Sequence, residues 1–413
     1  LAVGVITTPP HSTATDVTEV ASPAALTAIT YEDYEARRQL AEQNQVDSAF
    51  SQGVTDFSAQ TSAGVLSGQE NACYSPASLY FALSLSAAGA AGNTKTQLLN
   101  LLHADDTASL TQNCAKLYRL LYTENEIGKL QIANALWMDS GTNFAPDFQN
   151  TASQDFYTSL YTGKLTAPAT ISAMEQWVSD HTGGKIKPTI QPSDDSILYL
   201  MNTIYFKDEW ISNFNPSQNT TDPFYLANGG STTATFMHRS DIGSFVRGKD
   251  YISSKLAMKN RETVTFVLPN EGVSVQKLLD TEHLQEILSG GTEEHQKHGR
   301  VHWSIPKFSY DTKANLKNML QNCGVTDLFE PNCADLSGMT SKPAWLSGAS
   351  QQTYIALDEN GVEAAAYTEL GFAGSSMPTD EADMNLNRPF LYCIQSSDGT
   401  PLFVGVCGKP SNA

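Results

Sequence analysis

Asp358-Glu359-Asn360-Gly361-Val362-Glu363-Ala364-Ala365-Ala366-Tyr367-Thr368-Glu369-Leu370-Gly371-Phe372-Ala373-Gly374-Ser375-Ser376-Met377-Pro378 is the stretch on which the reading turns. Every second residue from Val362 gives Val362, Ala364, Ala366, Thr368, Leu370 and Phe372, uncharged and mostly apolar. The intervening set, Glu363, Ala365, Tyr367, Glu369 and Gly371, carries both carboxylates. A period of two belongs to a strand with one buried face. The flanks, with Gly361, Gly371, Gly374 and Pro378, are those of an exposed loop. A segment written as a loop yet able to become a strand predicts a switch. The competing reading is a turn of ordinary helix or a plain loop, because an Ala-rich run with interspersed Glu favours helix. The rest of the chain has to decide.

Working outward, a polar, acidic run (Met377 to Asn387) precedes an apolar block that opens at Pro389-Phe390. The chain is long enough, at 413 residues and 40% hydrophobic, to bury a large core as one big domain or two. No apolar run reaches the roughly 18 residues of a membrane span. The N-terminus has no basic start and apolar stretch, so an exported form is expected to have lost its leader already. A net charge of -19 excludes nucleic acid, heparin-like polyanions and anionic lipid surfaces as expected partners. The six cysteines lack paired Cys-x-x-Cys spacing and read mostly as small buried hydrophobes, with Cys323 and Cys333 as a candidate pair.

Residues 1 to about 30, rich in Thr, Pro, Ala and Ser, read as a disordered or linker-like tail. Charged and apolar residues then mix at helical spacing from Tyr31 to about Ala63. In Tyr74-Ser75-Pro76-Ala77-Ser78, Ser75 is a natural N-cap and Pro76 a first helical residue. The helix they launch is nearly all apolar and therefore central. Asn93 reads as an N-cap for a helix to about Leu102, and helices are expected at 111–121, 143–161 and 170–182, the last closed by Gly183-Gly184. Ile132 to Trp137 and Ile197 to Phe206 read as buried strands, the second apolar on both faces apart from Asn202. Strand-like runs recur at 233–238, 254–258, 263–268, 301–309, 352–357, 389–395 and 401–407. The expectation is an α+β protein with large, mostly antiparallel sheets.

Motifs of known chemistry are missing: no Gly-x-Ser-x-Gly elbow, phosphate loop or His-Glu-x-x-His helix occurs. His295-Gln296-Lys297-His298 beside Glu293 and Glu294 reads as a solvated loop rather than a metal cluster. Ser375-Ser376 as a catalytic nucleophile would lack a base and an oxyanion site. Asn219-Thr220-Thr221 is a glycosylation sequon. Ser75, Ser78 and Asn202 are polar residues in buried elements, so they are expected to bond one another or nearby backbone, as a satisfied core or as a latch beneath a sheet that opens. Trp210 is expected in the core, with a second role where that sheet opens.

From about residue 45 to Pro410 the motifs resemble, in order, those of the serpin family. Tyr74-Ser75-Pro76-Ala77-Ser78, Ile132-Ala133-Asn134-Ala135-Leu136-Trp137 and Trp177-Val178 with Thr182-Gly183-Gly184-Lys185-Ile186 resemble its early elements. Asn202-Thr203-Ile204-Tyr205-Phe206-Lys207 with Trp210 and Phe214, and Ile305-Pro306-Lys307-Phe308, resemble its later strands. Asn387-Arg388-Pro389-Phe390-Leu391-Tyr392-Cys393-Ile394 is similar to its C-terminal signature.

The resemblance implies a flexible tail or linker and the start of the first helix over 1–44 and one domain over 45–413, with three β-sheets and about eight or nine helices. It also implies an inhibitory, secreted or cell-surface, monomeric serpin of bacterial kind, with no cofactor and no metal. The reactive-centre loop would be about 359–385, with Glu359, Gly361, Val362, Glu363, Ala364, Ala365 and Ala366 as its hinge. The scissile bond would be Ser375–Ser376, or, because the loop down to Pro389 is about three residues longer than in common members, Ser376–Met377 or Met377–Pro378, the last disfavoured by Pro after the bond. Phe372, Ala373, Gly374 and Ser375 would set specificity, and a small residue before the bond implies an elastase-like or subtilisin-like serine protease, or a cysteine protease, as target. Ser75, Ser78, Asn202, Gln351 and Trp210 would control sheet opening. Gln351 stands where many members have a histidine, and its amide is expected to donate to Asn202 in a pH-insensitive latch. Val362 replaces the usual Thr or Ser at the first inserting position. The rival readings are a non-inhibitory serpin acting as a carrier, chaperone or storage protein whose loop is only a substrate, and a hydrolase using Ser375.

Overall fold

A computed structural model describes residues 17–192, 197–362 and 380–411. In chain order the helices are α1 (Tyr34–Gln43), α2 (Ser48–Leu66), α3 (Pro76–Gly89), α4 (Gly92–Leu101), α5 (Thr107–Leu121), α6 (Pro146–Gln154), α7 (Pro168–His181), α8 (Thr281–Leu288) and α9 (Lys317–Asn322). The strands are β1 (Val17–Ala21), β2 (Asn71–Tyr74), β3 (Thr123–Glu124), β4 (Lys129–Asp139), β5 (Thr158–Gly163), β6 (Leu198–Glu209), β7 (Thr220–Tyr225), β8 (Ser231–Arg247) and β9 (Tyr251–Ala257). They continue with β10 (Thr263–Pro269), β11 (Gln296–Pro306), β12 (Phe308–Asn315), β13 (Ser350–Leu357), β14 (Gly361–Val362), β15 (Asp380–Asn385), β16 (Phe390–Gln395) and β17 (Pro401–Cys407).

These strands form two sheets among the described residues, not the three expected. One runs β1-β5-β4-β6-β14-β13-β12, with β3 beside β4; the other runs β15-β11-β8-β9-β10-β16-β17-β2, with β7 beside β8. The second is continuous because β8 and β11 pair along eleven residues, from Val246–Gln296 to Phe236–Pro306, and bridge what would otherwise be two sheets. Most pairings are antiparallel; β4 with β5 and β11 with β15 are parallel.

α3 lies at the centre. Ser75 Oγ accepts from the Ser78 N–H (3.3 Å) as an N-cap, Pro76 opens the first turn, and thirteen of fourteen helical residues are buried. That leaves α3 no solvated face, so it has to sit between layers. A second, smaller core joins α7 to the outer face of the first sheet, through Trp177, Val178 and Met174 against Ala135, Trp137 and Met201.

Four local readings differ from the structure. The helix expected over 143–161 ends at Gln154, because Tyr157 takes a φ of 49°; Thr158 then begins β5. Tyr157 is held there by stacking on Tyr118 (4.4 Å between centroids) and by a bond from Arg119 (3.1 Å). The acidic run before Pro389 contains β15, whose Ala382 and Met384 face inward while Asp380, Glu381 and Asp383 face out. The segment expected as a tail up to about residue 30 carries β1, paired antiparallel with β5, while α1, capped by Asp33, falls within the stretch of helical spacing from Tyr31. Its polar composition hid edge-strand pairing, which needs only backbone groups. Cys323 and Cys333 are not paired: all six cysteines are free, and Cys323 Sγ lies against Met319 Sδ (3.7 Å).

Candidate functional site

The two central strands of the first sheet, β6 and β13, share no ladder. They are joined by β14 at one end and by a bridge between Leu198 and Leu346 at the other. Between these ends β6 is unpaired on this side from Tyr199 to Lys207, a slot of roughly 30 Å at strand rise, with a cavity of about 70 Å³ lined by Met201, Asn202, Ser350 and Gln352 beneath α7. Val362 closes one end, 2% exposed, opposite Leu357 on one side and Asp208 on the other. A Cβ at Gly361 would meet the Asp208 carbonyl oxygen at 2.1 Å, so only glycine lets the chain enter here.

The residues before Gly361 are fixed by Trp210, which is fully buried. Its indole Nε1 donates to the Asp358 carbonyl (2.9 Å) and its backbone N–H to the Asn360 carbonyl (2.9 Å). The Phe214 N–H donates to the Glu359 carbonyl (2.9 Å). Asp358 folds the turn, its Oδ1 accepting from the Asn360 N–H (2.8 Å) and its own N–H donating to the Gly361 carbonyl (3.0 Å). Glu359 is only 7% exposed and is ion-paired with Lys307 (3.0 Å), while its Oε1 accepts from Asn219 Nδ2 (2.5 Å). Burial alone would raise this carboxyl, but bonds from its own backbone, Asn219 and Lys307 outweigh it and hold Glu359 below its ordinary range. Asn219 had been read only as a sequon; its amide is committed to Glu359.

Further along the slot, an uncharged network links α3 to the sheet. Ser78 Oγ donates to Asn202 Oδ1, and Asn202 Nδ2 donates to Asn134 Oδ1 (2.6 Å). Gln351 does not serve Asn202 as expected. Its Oε1 accepts from the Ser75 N–H (2.7 Å) and its Nε2 donates to the Ser75 carbonyl (2.9 Å), which uses both ends of the amide on the backbone of one residue. Asn134 takes the place expected of Gln351; lying in an apolar run on β4, it carried no signal beyond being polar in a buried strand. The expected loop residues Glu363, Ala364, Ala365, Ala366, Phe372, Ala373, Gly374, Ser375, Ser376 and Met377 lie outside the described residues. Among the described residues no cluster of three or more metal-ligating side chains occurs, and no helix is long and apolar enough to cross a membrane.

The geometry is thus an α+β body whose first sheet is unpaired between β6 and β13, with Gly361 and Val362 entering at one end. A family model described as serpin (serine protease inhibitor) matches residues 52–410. The chain is 31% identical over 367 residues to human antithrombin-III, covering 83% of this chain and 77% of that protein. It is 30% identical over 360 residues to the leukocyte elastase inhibitor of Xenopus tropicalis, covering 82% and 93%. The native structure of the thermophilic serpin tengpin superposes with a TM-score of 0.83 at 23% identity, covering 96% of this chain and all of that one. This chain belongs to the serpin family. It is a serpin of the protease-inhibitor type, a pseudo-substrate rather than an enzyme.

Proposed function

We propose that this serpin is a suicide inhibitor whose loop, once cut, fills the slot between β6 and β13. The observation that carries this is a match of lengths. Val362 is already opposite Asp208, and continuing that antiparallel register brings Phe372 opposite Leu198, where the slot ends. The alternate residues Val362, Ala364, Ala366, Thr368, Leu370 and Phe372 would then share the buried face that Val362 occupies, with Glu363 and Glu369 on the other. Thr368 would lie opposite Asn202.

In the reaction, the protease serine adds to the Ser375 carbonyl, the Ser375–Ser376 bond breaks, and Ser376 leaves as an amine. The loop is then held to the protease as an ester. Insertion gains strand hydrogen bonds on both sides and draws the protease along, pulling the ester out of register with the oxyanion hole so that water no longer releases it. The intact form is therefore held by a kinetic barrier. A small residue before the bond, and the name of the amphibian relative, support an elastase-like or subtilisin-like serine protease as target. Incubation with neutrophil or pancreatic elastase tests this. A complex that survives denaturation, with a peptide beginning at Ser376, supports the reading; clean cleavage by subtilisin-like and elastase-like enzymes that stay active contradicts it.

A further inference from the structure

Where the slot meets Val362, two carboxyl groups are buried side by side. Asp208, near the end of β6, is fully buried, and Glu262, in the turn between β9 and β10, is 5% exposed. Asp208 Oδ1 accepts from the Glu209 N–H (2.9 Å) and Asn260 Nδ2 (3.0 Å), and its Oδ2 from the Asn260 N–H (3.0 Å). Glu262 lies two residues beyond Asn260 in the same turn, which brings its buried carboxyl close enough to interact with that of Asp208. Glu262 Oε2 finds no donor among the neighbouring groups. Two ionised carboxylates so placed repel each other without water to screen them, so the pair favours holding a proton. Burial, opposed by its hydrogen bonds, pushes Asp208 up to about 6. Burial first and the Asp208 charge second push Glu262 well above the carboxylate range.

The charged groups around the pair do not neutralise it. From α1, the Arg37 guanidinium draws Glu262 down, but only as the weakest influence on it. Lys259, in the same turn, is committed to Glu209 (2.6 Å). Arg261 is exposed, and Lys207 precedes Asp208 along β6. On the turn between β3 and β4, Glu126 accepts from the Tyr31 N–H (3.3 Å). Within the segment leading to Gly361, Asp358 is half-buried and Glu359 is taken by Lys307.

The pair is mechanically connected to the slot. The Asp208 side chain ties β6 to the turn at Asn260 and Glu262, while its backbone pairs with Val362 and its carbonyl packs on Gly361. We propose that Asp208 and Glu262 form a proton-held clasp on the loop hinge. While they share a proton, β6 stays tied to the β9–β10 turn and keeps Gly361 and Val362 in the sheet. When the proton leaves, two buried like charges push the end of β6 from that turn and release the hinge. The inference rests on Gly361 and Val362 being the hinge, but not on any protease being trapped.

Trp210, bonded to the Asp358 and Asn360 carbonyls, reports hinge position by its emission. The intact protein is titrated from pH 5 to 9, and subtracting the Trp210→Phe signal isolates this indole. The clasp predicts a red shift with its midpoint above pH 6. Glu262→Gln, whose amide donates permanently to Asp208, removes the transition, and Asp208→Asn does the same. Arg37→Gln moves the midpoint up by roughly half a unit, since it removes a charge that favours ionised Glu262. A flat wild-type titration, an unchanged transition in Glu262→Gln, or an unmoved midpoint in Arg37→Gln overturns the clasp; the last arm suffices if the buried variants do not fold. A transition that behaves as predicted in a protein that traps no protease keeps the clasp and removes the inhibitory reading instead.

Discussion

The middle and the mouth of the slot are held by different chemistry. Around Asn202 the contacts are amides and hydroxyls: Ser78, Asn134, Ser75 and Gln351. Around Val362 they are ionisable: Glu359 with Lys307, and Asp208 with Glu262. Uncharged hydrogen bonds keep their strength across the physiological pH range, whereas buried carboxyls do not. The sheet is therefore latched at its middle by a pH-indifferent network and at its mouth by groups that answer to protons.

The largest expected effect is at the mouth. Val362→Arg sets an unpaired guanidinium in a site that is 2% exposed. It should destabilise the intact protein by about 3–5 kcal/mol if the hinge stays in the sheet, or expel the hinge. Either way trapping gives way to plain cleavage, read as the number of inhibitor molecules consumed per protease inactivated. Lys307→Ala comes next, at about 2 kcal/mol at neutral pH, because it leaves Glu359 buried without its cation, with only Asn219 and its own backbone N–H as partners. Glu359 has a lowered folded-state pKa, so its contribution is present above its unfolded value near 4.3 and lost as pH falls through the folded one. The melting temperatures of wild type and Lys307→Ala should converge at acid pH.

At the middle of the slot, Gln351→Ala removes both bonds to the Ser75 peptide and should cost ~1.5 kcal/mol. That cost should be the same at pH 5.5 and pH 8.5. A pH-dependent cost would erase the contrast between middle and mouth. The smallest effect concerns overall stability. Asp208 and Glu262 have raised folded-state pKa values, so the stability they allow is complete below their unfolded values near 4 and is lost as pH rises through about 6 and beyond. Thermal melts should show about 1 kcal/mol less stability at pH 8 than at pH 5 from this pair, and Glu262→Gln should remove that slope.

Much of this was legible in the chain. Ser75-Pro76 before an apolar run announces a capped, buried helix from local chemistry alone, and α3 begins there. The long strand through Asn202 was readable for the same reason, since period is a local property. The contacts that decide how the slot is held were not. Gln351 was expected on Asn202, yet a primary amide can accept from the N–H and donate to the C=O of one extended residue, and the Ser75 backbone lies within its reach. Asn134 gave no sign of its role, because partners across strands follow from register. Asp208 and Glu262 meet only through folding of β6 onto the β9–β10 turn, and no periodicity in the sequence joins them. β15 was hidden because its outward residues are acidic and its inward pair, Ala382 and Met384, is short.

The central claim is that the slot between β6 and β13 receives the loop. The direct measurement is the thermal midpoint of the protein before and after a single cut within residues 373–378 by any protease, trapped or not. Insertion along β6 should raise the midpoint on the order of 10 °C or more, as several kcal/mol do in a chain of this size, and Val362→Arg should abolish the gain. An unchanged midpoint in the cut wild-type protein would contradict the account.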